Sequence, residues 1–78
     1  MYEIIVSLEL VSDDWFDWMN THIGEKAENT LFHFHNEAKQ VLKESDAEWT
    51  IVYNRYGYCS IFIKDAKKSV MVKLIYGK

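Results

Sequence analysis

His33 and His35 form a His-x-His pair, with Glu37 following and His22 upstream. On a strand, two residues apart share a face, and such a pair can chelate a transition metal with a third ligand. On a helix, residues two apart point about 200° from one another and cannot share one ion. Cys59 is the sole thiol. A nucleophilic role would require a histidine beside it and an electropositive, accessible setting. Instead it alternates with Ile61 and Ile63, the pattern of a small buried hydrophobe. Asp13, Asp14 and Asp17 could pair as general acid and base. They follow Ser12, however, where the first turn of a helix favours negative charge. The glycines Gly24, Gly57 and Gly77 are scattered, so there is no phosphate-binding loop. The chain is therefore expected to be non-enzymatic, with no catalytic residue, no metal and no cofactor.

These side chains sit on elements whose periods are readable. Residues 2–10 alternate, with Tyr2, Ile4, Val6, Leu8 and Leu10 on one face, which predicts a half-buried strand. Ser12 opens a helix carrying Trp15, Trp18 and Met19, and Gly24 is placed to stop it. From Glu25 the apolar residues Ala27, Leu31, Phe34, Ala38, Val41 and Leu42 recur at helical spacing. That phase favours one longer helix, although residues 30–35 also read as a short strand. The helical reading separates His33 from His35 and argues against the metal site. Three strands are predicted beyond Asp46: residues 48–54, 58–64 and 69–76, with Asn54, Arg55, Tyr56 and Gly57 as the first turn. The expected fold is α+β in the order β-α-α-β-β-β. Two helices pack on one face of a four-stranded, mainly antiparallel sheet, within a single domain spanning residues 1–78.

Composition bounds the function. The 78 residues are 49% hydrophobic and 27% charged, enough apolar surface for a core in a domain that buries only about 60% of its unfolded surface. One cysteine excludes a disulfide scaffold. No apolar run approaches a membrane span and no leader is visible, so a cytoplasmic location is expected. The net charge of −3 hides a gradient. Residues 1–39 hold eight acids against two bases, and residues 40–78 hold four against seven.

The chemistry that remains is binding. On the four-stranded reading, Ile5, Val52, Tyr58, Phe62, Met71 and Ile75 fall on the sheet face turned away from the helices, too apolar for solvent. This predicts a homodimer built sheet against sheet, or a surface for another protein. The acidic segment with Asp13, Asp14, Trp15, Phe16 and Asp17, together with Phe32, would present charge and aromatic anchors to a basic partner such as a nucleic-acid enzyme. The composition also suits a phage-type inhibitor or adaptor acting on a host protein. The alternative is nucleic acid. Arg55, Tyr56, Gly57 and Tyr58, followed by Phe62, resemble the aromatic sheet motif of RNA-recognition domains, which implies base stacking beside a lysine edge of Lys64, Lys67, Lys68 and Lys73. The residue order differs from that motif, and the acidic balance runs against it.

Overall fold

A computed structural model describes residues 1–27, 35–54 and 56–77. The first strand, β1 (Tyr2–Ser7), buries Ile4 and Val6 and exposes the residues between them. Ser7 ends it by capping a single 3-10 turn, Leu8–Leu10. Ser12 then caps α1 (Asp13–His22), its hydroxyl accepting from the Trp15 N–H. Asp13 and Asp14 sit in the first turn, where the helix dipole favours them, and Trp15 and Met19 face inward. Helix α2 (His35–Glu44) buries Ala38 and Leu42. Strands β2 (Trp49–Tyr53) and β3 (Tyr58–Ile63) form a hairpin. At its turn the Asn54 carboxamide oxygen accepts from the N–H groups of Tyr56 and Tyr58. Gly57 there takes a positive φ of 78°. The last element is a helix, α3 (Ala66–Tyr76), capped by Asp65.

Among the described residues the sheet has three antiparallel strands in the order β1-β3-β2. Central β3 is buried from Cys59 to Ile63, because both of its faces are covered. One face packs Ile4, Val6, Trp49, Ile51, Cys59, Ile61 and Ile63 against Trp15, Met19 and Ile23 of the α1 region and Val72 of α3. The other packs Val52 and Phe62 against Ala38 and Leu42 of α2. The layers are therefore α1 and α3, sheet, α2. The outer edge of β2 is partly closed by residues 25–27, where Ala27 N–H donates to Trp49 O and Glu48 N–H to Glu25 O.

Three expectations are corrected. The fold remains a mixed α+β one, but residues 66–76 form a helix and not a fourth strand, so the described residues hold three strands and three α-helices. Their sequence supports both periods. The strand reading would bury Val70, Val72, Leu74 and Tyr76 together. The helix instead turns Ser69, Val72 and Tyr76 inward and leaves Leu74 82% exposed. The Asp65 carboxylate accepting from Lys68 N–H at 2.9 Å and the helix-favouring Ala-Lys-Lys start decide for the helix. The second correction is that the helices do not share a face, since α2 lies opposite α1 and α3. The helix expected from Glu25 does not start there either, because Lys26 bridges to Trp49. The expected path through residues 28–34 lies outside the described residues. Among the described residues no helix is long and apolar enough to cross a membrane.

Candidate functional site

The covering of the second sheet face brings three polar side chains together. Glu3 projects from β1, Ser60 from β3, and His35 is the first residue of α2. His35 Nδ1 lies 3.3 Å from Glu3 Oε2, and its Nε2 lies 3.4 Å from Ser60 Oγ. The ring also meets Phe62 edge to face at 5.9 Å. Carboxylate, imidazole and hydroxyl in this order have the connectivity of a nucleophile triad.

The surroundings remove that chemistry. Ser60 is 1% exposed and lies between Ile5 and Val52 in the sheet register. An acyl or phosphoryl group has no path to its oxygen. Counting from the Asn54 N–H bond to Tyr58 O, the Ser60 N–H points towards Val52 in the ladder, so it cannot serve as an oxyanion donor. The cluster instead pins the start of α2 to the sheet and gives a buried hydroxyl its partner.

The residues expected to bind a partner do not form one surface. Asp13, Asp14 and Asp17 are exposed along α1, and none forms an ion pair among the described residues. Trp15, between them, is buried, its ring packed edge-on against Phe16, Trp49 and Tyr76. Phe16 is half-buried, with the Lys26 ammonium 4.3 Å from its ring centre. Partial burial lowers the Lys26 pKa from its ordinary value. Val52 and Phe62 lie beneath α2, so neither reaches a partner on the sheet face. Tyr58 is half-buried at the start of β3, and Met71 is half-buried against the core from α3. Phe32 and His33 lie outside the described residues. Among the described residues no three His, Cys, Asp or Glu side chains are placed to hold a metal. Cys59 is fully buried, which pushes its thiol up to about 11.

The exposed apolar side chains lie elsewhere. Tyr2 and Ile5 of β1 and Val70, Leu74 and Ile75 of α3 account for five of the eight large hydrophobic residues exposed among the described ones. Met1, Tyr2, Glu3 and Ile4 line a shallow groove of about 330 Å³ with Ser69, Val70 and Lys73. Sequence reasoning missed Val70 and Leu74 because they were assigned to the buried face of a strand. A helical wheel started from Asp65 puts them one turn apart on the side away from Ser69 and Val72. Comparisons with protein-family models, with curated proteins and with solved structures return no match.

Proposed function

We propose that this chain is a small, non-enzymatic protein-binding module whose contact surface is the exposed side of α3 together with the adjoining β1 edge. The observation carrying this reading is the exposure of Val70, Leu74 and Ile75 on α3, Leu74 at 82%, beside exposed Tyr2 of β1. Ile5, also exposed, lies on the α2 side of the sheet. Single exposed hydrophobes are ordinary, but several on one short helix mark a contact surface. The acidic side of α1, with Asp13, Asp14 and Asp17, would act at longer range by steering a basic partner, as an inhibitor or adaptor of a nucleic-acid enzyme requires. A phage-type role fits the same reading. The nucleic-acid alternative is weaker, because Phe62 lies under α2 and is unavailable for stacking, which leaves Tyr56 as the exposed aromatic of that turn.

Affinity capture compared between the wild type and Leu74→Glu tests this reading, with Lys43→Ala as a surface control. The expected result is a stoichiometric protein complex retained by the wild type and the control and lost by Leu74→Glu, with unchanged circular dichroism. Equal capture by Leu74→Glu, or salt-sensitive capture of nucleic acid alone, overturns it.

A further inference from the structure

We infer that the open edge of β1 pairs with β1 of a second copy, antiparallel and centred on Ile5, to give a continuous six-stranded sheet across a two-fold axis. This rests on the reading of the β1–α3 side as a contact surface. The two edges of the sheet are treated differently. That of β2 is partly closed by residues 25–27, whereas among the described residues β1 pairs only with β3. The Leu8 N–H bonds to Gly57 O, so by alternation Tyr2, Ile4 and Val6 turn their amides towards β3. Glu3, Ile5 and Ser7 turn theirs outward. Residues 2–7 contain no lysine and no proline, and their single charge, Glu3, is engaged by His35.

The register and the charges select a second copy as occupant. Centring on Ile5 sets Ile5 against its own image, and Glu3 against the partner's Ser7, so no like charges oppose one another. Centring on Glu3 would place two carboxylates face to face. The Ile5 register also sets the two ends of β1 against each other. The Tyr2 end carries Lys73, exposed on the groove wall. The opposite end carries Glu9, exposed on the 3-10 turn and without an ion partner among the described residues. Each Lys73 then approaches the Glu9 side of the other copy, twice per dimer, as an isologous interface requires. Val70 lines the same groove and adds apolar contact beside the strands.

Sedimentation of the full chain at micromolar concentration tests the pairing. A dimer is expected, with slow amide exchange at Glu3, Ile5 and Ser7. Ile5→Lys and Ile5→Pro should each weaken it at least ~10-fold with the fold retained by circular dichroism, because the Ile5 N–H is turned away from β3 by the strand alternation. Lys73→Glu and Glu9→Lys should each weaken it, and the double variant should restore it. A monomer with rapid exchange at those three amides overturns the pairing, as does a dimer indifferent to both Ile5 variants. If the pairing fails while Leu74→Glu still abolishes capture, the binding-module reading stands alone. If Leu74→Glu also has no effect on capture, both readings fail.

Discussion

The Trp49 indole Nε1–H donates a 2.9 Å hydrogen bond to the Gly24 carbonyl, tying the end of α1 to the first residue of β2. Trp49 is fully buried, with Trp15 edge-on against it at 5.5 Å. Trp49→Phe keeps a ring but removes the donor, so a loss of about 1–3 kcal/mol is expected. In a domain of this size that lowers the Tm by roughly 4–8 °C per kcal/mol. Gly24→Ala should also destabilise, since Gly24 has φ of 138° and a Cβ there would collide with the Glu48 side chain. Thermal melts of both variants that overlay the wild type would refute this clamp.

Thr50 offers the opposite sign. Its hydroxyl is buried on the α2 side of the sheet, and Oγ1 has no hydrogen-bond partner among the described residues. Thr50→Val keeps the shape and removes the unsatisfied group, so a gain of about 1 kcal/mol is expected in urea unfolding. A clear loss of stability would mean that this hydroxyl is satisfied in solution.

Cys59 links stability to alkaline pH. Burial raises its pKa to about 11 from 9.0. The thiol ionises in the unfolded chain before it does in the folded one. Its contribution is therefore complete below pH 9.0 and falls as pH rises towards about 11. Burial, and then the charge on Cys59, also raises Tyr53, which acts in the same direction. Lowered Lys26 acts in the opposite one. Comparison with Cys59→Ala isolates the thiol, and the variant should lose less stability across that interval. The native thiol should react with a disulfide reagent only as fast as the chain opens. Immediate reaction at neutral pH would place Cys59 at the surface.

The Glu3–His35–Ser60 cluster is expected to be structural. His35→Ala removes the partner of a buried hydroxyl and should cost about 1–2 kcal/mol. The wild-type chain should resist a serine-directed fluorophosphonate, because Ser60 is 1% exposed. Covalent labelling of Ser60, detected by mass spectrometry and lost in His35→Ala, would revive hydrolytic chemistry.

Local patterns were enough for elements with a single clear period and a recognisable cap. Alternation located Ile4 and Val6 in β1, Trp49 and Ile51 in β2, and Cys59, Ile61 and Ile63 in β3, all of them buried. Ser12 followed by two aspartates marked the start of α1. Residues 66–76 failed that approach because Val70, Val72, Leu74 and Tyr76 alternate while Ser69, Val72 and Tyr76 repeat helically. No local rule ranks two patterns carried by the same residues; packing against β1 and the Asp65 cap did so.

What the sequence by itself determined is which residues of each strand share a face, since the period of two is a property of the backbone. What only the tertiary structure decided is whether each face is covered. Val52 and Phe62 share a face by sequence, yet their burial depends on α2 crossing to the side opposite α1 and α3. The same crossing brings His35 to Glu3 and Ser60, three residues on three elements with no spacing signature. Alternation is local and layering is global, because a helix buries its apolar stripe against whichever sheet face the other helices leave open.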